Sequence, residues 1–166
     1  MLCPICRHDN FEGEDSCANC GADLRASDIP VSTLDSNDTV LGDHLDALGV
    51  GTFTAVSPSL GVAIAIRRMH DENIDCLLVV DGDQLVGIFT DRDAVVKAAD
   101  KRLQLYTVGD FMTPDPVVLR QDDTLAVAIH KMAVGEFRHM PIVDDGRPIG
   151  LISAADIFRY LVDSLE

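Results

Sequence analysis

The stretch GIFTDRD at residues 87–93 returns as GLISAAD at 150–156. In each, a glycine closes an apolar run, and a hydroxyl and a carboxylate follow three residues apart. One reading is a strand turning into a helix. Thr90 or Ser153 is then the N-cap, and Asp93 or Asp156 in the first turn satisfies free amide donors and suits the helix dipole. The other is a ligand site, because the same helix start attracts a phosphate or a sugar hydroxyl. A single copy leaves both readings open.

Working outward, residues 62–93 slide onto 125–156 at a spacing of 63 without a gap. Ala63, Ala65, Ile66, Met69, Val80, Asp81, Gly87 and Asp93 meet identical residues. These are 8 of 32 positions, so two well-diverged copies retain both the hydroxyl and the acid. Each copy reads as a short strand (53–56; 116–119), an amphipathic helix (59–73; 122–136), two strands (77–80 and 85–89; 140–143 and 148–152) and a closing helix (91–100; 154–164). The inner strands meet across DGDQ and DDGR, which have the Asp/Gly chemistry of tight hairpin turns. Their continuous apolar runs suit a sheet covered by helices. The predicted fold class is therefore α/β (α+β), two β-α-β-β-α repeats packed about a pseudo-twofold axis.

Four of five cysteines lie in the first 20 residues, as CPIC at 3–6 and CANC at 17–20. The spacing C-x2-C-x10-C-x2-C brings Cys3, Cys6, Cys17 and Cys20 to one tetrahedral ion, with Pro4 and Gly21 easing the turns. So short a segment cannot fold on apolar burial alone, and a structural Zn²⁺ would stabilise it. His8 is a weaker candidate ligand. The domain reading is a zinc-binding segment at 1–25, a linker at 26–50 carrying a short helix around VLGDHLDALG with a solvent-facing His44, and repeats at 51–110 and 111–166.

The net charge of −15, from 28 acids against 13 bases, repels nucleic acid and anionic membranes, so any anion site must be locally basic. Residues 1–30 carry six acids against Arg7 and Arg25, which argues against nucleic-acid binding by the cysteine segment as well. With no membrane-length apolar run and no signal-peptide pattern, the expected location is the cytoplasm, with reduced or metal-bound thiols. Arg92 reads equally as a surface ion pair with its flanking aspartates or as a phosphate contact. Arg138 and His139 form a local basic spot before a strand. Lys131 and Arg120 read as surface residues, and Met69 and Met132 as core filler. Cys76 reads as a buried or cleft-lining thiol, since no histidine completes a catalytic arrangement with it. No general base, oxyanion hole or phosphate loop is visible, and the expectation is a protein that is not an enzyme.

The tandem unit, with FMTPDPVVL at 111–119 and FRHMPIVDDGRPIGLIS at 137–153, resembles the cystathionine-β-synthase (CBS) domain pair, or Bateman module, over about residues 51–166. The cysteine segment resembles a zinc ribbon. The resemblance implies an adenosyl ligand (AMP, ADP, ATP or S-adenosylmethionine) in clefts between the repeats. It assigns Asp93 and Asp156 to ribose, Thr90 and Ser153 to ribose and phosphate, Thr52 and Thr113 to supporting positions, and Arg138 and His139 to phosphate. Asp75 and Cys76 stand where the second copy has Arg138 and His139, so the clefts are expected to be unequal. The resemblance also implies a homodimer. The functional expectation is a regulatory sensor of an adenine nucleotide. The alternative is an interaction scaffold with degenerate clefts, whose ribbon docks a protein partner.

Overall fold

The computed structural model describes residues 3, 5–9, 16–22, 40–49, 51–98 and 101–165. The expected linker from 26 to 39 and Pro4 lie outside them. The chain divides into two compact units, Met1–Gly42 and Asp43–Glu166.

In the second unit the first repeat runs β1 (Ala55–Val56), α1 (Val62–Asp71), β2 (Cys76–Asp81), β3 (Gln84–Thr90) and α2 (Asp91–Ala98). After β4 (Thr113–Pro114), the second repeat contributes α3 (Leu125–Gly135), β5 (His139–Asp144), β6 (Arg147–Ser153) and α4 (Ala154–Asp163). Helix α1 forms because Val62, Ala65 and Met69 fall on one face and are buried. They pack against Leu77, Val79 and Phe89 of the inner strands. The second helix repeats this with Leu125, Ala128 and Met132, so both methionines fill core as expected.

The first strand expected in the second copy, 116–119, is reduced to one parallel bridge, Leu119 to Ile142. In the first repeat the Leu78 amide donates to the Thr54 carbonyl at 3.0 Å. Its counterpart 63 residues on is Pro141, which has no N–H to give. Lys131 holds this stretch by another route. Its ammonium donates to the Val118 carbonyl (3.0 Å) and lies 3.4 Å from Asp123, with the side chain only 9% exposed. The expectation that Lys131 is an ordinary surface residue is thus corrected.

The short helix expected at 40–49 is instead two 3-10 turns, Val40–Gly42 and Leu45–Leu48. Gly49 at φ 69° ends the second. That second turn belongs to the repeat architecture. The Leu125 amide donates to the Asp43 carbonyl (2.9 Å) and the Leu45 amide to the Asp123 carbonyl (3.3 Å). At the equivalent positions of the other copy, Val62 donates to Tyr106 (3.0 Å), and Val108 is donor to Leu60 (2.8 Å). Leu45 and Val108 are both fully buried. Each repeat is therefore preceded by a leader (43–49 and 51; 106–115) that packs on the other repeat. The crossing continues in the sheets, where Thr113 pairs with Ile88 of β3 and Gly51 with Leu151 of β6. Gly51 is needed there, because a Cβ would stand 2.6 Å from the Leu151 carbonyl oxygen.

In the first unit the two cysteine pairs form matching turns. The Arg7 amide donates to the Cys3 carbonyl (2.9 Å) and the Gly21 amide to that of Cys17 (2.8 Å). Arg7 and Gly21 share the left-handed backbone, φ 55° and 71°. Among the described residues no helix is long and apolar enough to cross a membrane.

Candidate functional site

A cleft of about 380 Å³ opens where β3 turns into α2. Its wall from the first repeat carries Thr90, Arg92, Asp93 and Lys97. The crossed leader adds Thr113 and Asp115, and the second repeat adds Glu136, Arg138 and His139. Six expected site residues from both repeats thus share one space: Thr90, Arg92, Asp93, Thr113, Arg138 and His139.

Asp93 is the buried centre of the site, 8% exposed. Its Oδ2 accepts from the Thr90 amide (3.0 Å) and hydroxyl (2.9 Å). The Asp93 amide returns a bond to Thr90 Oγ1 at 3.3 Å, closing a reciprocal cap. Oδ1 lies 2.7 Å from Lys97 Nζ and 3.4 Å from the Thr113 hydroxyl. Lys97 also donates to the Phe111 carbonyl at 2.9 Å, so one ammonium ties α2, the acid and the crossed leader together. The sequence reading missed Lys97, although its i, i+4 spacing from Asp93 was an available signal. Arg92 and Arg138 are exposed and make no ion pair among the described residues. His139 Nε2 lies 3.1 Å from Asp75 Oδ1, a contact between the two repeats.

Ser153 and Asp156 stand apart from this cleft, at the start of α4. They repeat the cap: Asp156 Oδ2 accepts from the Ser153 amide (2.9 Å) and hydroxyl (2.6 Å). Burial works to raise the Asp156 pKa, but these bonds and Arg159 outweigh it and hold the carboxyl below its ordinary value. Positions equivalent to the basic groups of the first cleft hold Ala155 for Arg92, Tyr160 for Lys97, Asp75 for Arg138 and Cys76 for His139. Tyr160 bonds Asp43 at 2.6 Å, so it too ties its helix to a crossed leader. Gly51, not Thr52, pairs where Thr113 does, and Thr52 is exposed one residue further on. Cys76 is buried beside Leu78 and Ile88. That burial, with Asp75, Asp93 and Asp91 nearby, pushes its thiol well up, away from nucleophilic behaviour.

The cap alone does not mark a site. Thr107 and Asp110 form the same box on a 3-10 turn, a third instance that the sequence reading did not single out.

In the first unit the four cysteine sulfurs all lie within 4.8 Å of one another. Cys3 and Cys20 are 3.6 Å apart, and Cys6 and Cys17 are 3.5 Å apart. Four thiolates about 2.3 Å from a tetrahedral ion stand about 3.8 Å apart, so this donor set fits a metal such as zinc. Burial opposes ionisation of Cys17, yet the amides of Cys20 and Asn19 and the neighbouring sulfurs hold its pKa at about 6. His8 is exposed and outside the four-sulfur group. His44, expected to face solvent, is exposed, and its Nδ1 lies 3.2 Å from the Asp122 carbonyl.

The family model for the CBS domain matches residues 52–100 and 108–163. The chain belongs to the CBS-domain family, as a tandem pair. It is 39% identical over 104 residues to the CBS domain-containing protein CBSCBSPB5 of Arabidopsis thaliana, covering 61% of this chain and 18% of that protein. It thus spans about a fifth of the length of such curated relatives. Among solved structures it resembles CBSX2 in complex with AMP, at TM-score 0.62 and 28% identity over 69% of this chain and 91% of that one. It also resembles the CBS pair of protein MJ0100 in complex with 5′-methylthioadenosine and S-adenosyl-L-methionine, at TM-score 0.63 and 26% identity over 72% and 99%.

Proposed function

We propose that this protein is a non-catalytic regulatory sensor that binds an adenine nucleotide or related adenosyl ligand in the cleft at Asp93. The observation carrying the reading is the convergence of Thr90, Asp93 and Thr113 with Arg92, Arg138 and His139, drawn from both repeats, around one cleft. Asp93 accepts the ribose hydroxyls through charge-assisted bonds. Thr90 and Thr113 line the sugar, and the two arginines reach the phosphate. Structural relatives bound to AMP and to S-adenosyl-L-methionine support the ligand class. The set around Ser153 and Asp156 departs at every basic position and at Gly51, so the cleft at Asp93 fills first. Thr52 and Cys76 then act as a flanking residue and as core beneath the site.

The first unit holds one Zn²⁺ through Cys3, Cys6, Cys17 and Cys20, and it serves as the surface for a protein partner. A cytoplasmic setting keeps those thiols reduced. The pair assembles as a homodimer. Val95 and Phe158, at equivalent positions of α2 and α4 and each 69% exposed, suit that role.

Calorimetric titration with AMP, ADP, ATP and S-adenosylmethionine tests the sensor reading. Binding that Asp93→Ala abolishes and Asp156→Ala spares is expected. Neither heat nor thermal shift with any of these ligands at millimolar concentration would instead favour a scaffold.

A further inference from the structure

We infer that the cleft at Asp93 selects by charge and takes a ligand with a single phosphate, a nucleoside monophosphate in preference to a di- or triphosphate. The inference rests on the adenosyl-ligand reading above and goes further, to which member of that class is bound.

Four basic groups line the cleft, but two are already committed. Lys97 is held by Asp93 at 2.7 Å and by the Phe111 carbonyl. His139 is held by Asp75 at 3.1 Å. The guanidiniums of Arg92 and Arg138 remain for an incoming anion. Three further carboxylates, Asp91, Asp115 and Glu136, belong to the same lining and have no cationic partner among the described residues. Two available cations thus face three carboxylates that no cation among the described residues neutralises, one of which, Asp91, accepts only the Arg92 amide at 2.7 Å, on a chain of net charge −15. A monophosphate can be gripped between the two arginines. Each further phosphoryl group brings added negative charge against the rim carboxylates, with no cation left to receive it. The volume of about 380 Å³ also sits near the low end of the roughly 300–1,000 Å³ usual for ligand pockets.

The test uses the full chain and calorimetry with adenosine, AMP, ADP, ATP and S-adenosylmethionine, with and without Mg²⁺, at low and high salt. AMP is expected to bind tightest, about tenfold more tightly than ATP at low salt. High salt should narrow that gap by screening the repulsion. Glu136→Gln and Asp115→Asn should each raise ATP affinity several-fold relative to AMP. Both positions are exposed with left-handed backbone, and asparagine tolerates that conformation, so unchanged thermal unfolding is the accompanying control. ATP, its magnesium complex or S-adenosylmethionine binding as tightly as AMP would overturn the inference while leaving the sensor reading intact. Variants that leave the AMP/ATP ratio unchanged would overturn it as well. Silence from every ligand would remove both.

Discussion

At Asp93 the two carboxylate oxygens answer to different partners. Oδ2 closes the cap with Thr90, and Oδ1 holds Lys97 and Thr113. Asp93→Ala loses a cap worth about 1 kcal/mol and also leaves Lys97 without its acid. A loss of about 1–2 kcal/mol in urea unfolding is expected, since Lys97 is partly solvated. Asp156→Ala should cost about 1 kcal/mol, as its exposed partner Arg159 adds little. Because the folded pKa of Asp156 is depressed, its stabilisation is complete above the unfolded value of about 3.9 and fades as pH falls below that. Ser153→Ala should move its NMR titration midpoint upward. Both hydroxyl-and-acid pairs were legible in the sequence because each is local, three residues apart. The contacts of Lys97 with Phe111 and of His139 with Asp75 were not, because they join residues that only the fold brings together. Arg138 and His139 belong to the second repeat by sequence, yet they face the acid of the first.

Among the elements, the inner strands and helices lie within a few residues of their expected limits, since hydrophobic period and Asp/Gly turns are local signals. The leader at 43–48 escaped that reading. DHLDAL and its counterpart YTVGDF share no residue at equivalent positions, and only their hydrogen bonds reveal the equivalence. The strand at 116–119 failed for a related reason, since the proline that weakens it lies in another strand. The leader supplies core. Leu45 is fully buried, and Leu45→Ala is expected to cost about 3 kcal/mol by thermal or urea unfolding. A solvated linker residue would cost almost nothing. Tyr160→Phe should loosen the same segment, read as faster amide exchange at Leu45.

For the whole molecule, the compact unit starting at Asp43 sets where the chain can be cut. A protein beginning at Asp43 should keep the unfolding temperature of the CBS pair. One beginning at Gly51 loses Leu45 and the Asp43–Tyr160 bond, and should unfold several degrees lower in a calorimetric scan. The four-cysteine unit should bind one Zn²⁺ per chain, measured by elemental analysis. Cys17→Ser should sharply weaken that binding without altering the response of the CBS pair to AMP. The pairing of four thiolates was legible because C-x2-C spacing is short and specific.

The crossed leaders also bear on synthesis. Gly51 finds Leu151 only after the 99 residues between them have been made, and β3 waits for Thr113 to cover its edge. The nascent first repeat therefore leaves the ribosome with an open sheet edge and an unpaired leader. Such non-local closure slows folding and prolongs the interval in which the edge can pair with the wrong chain.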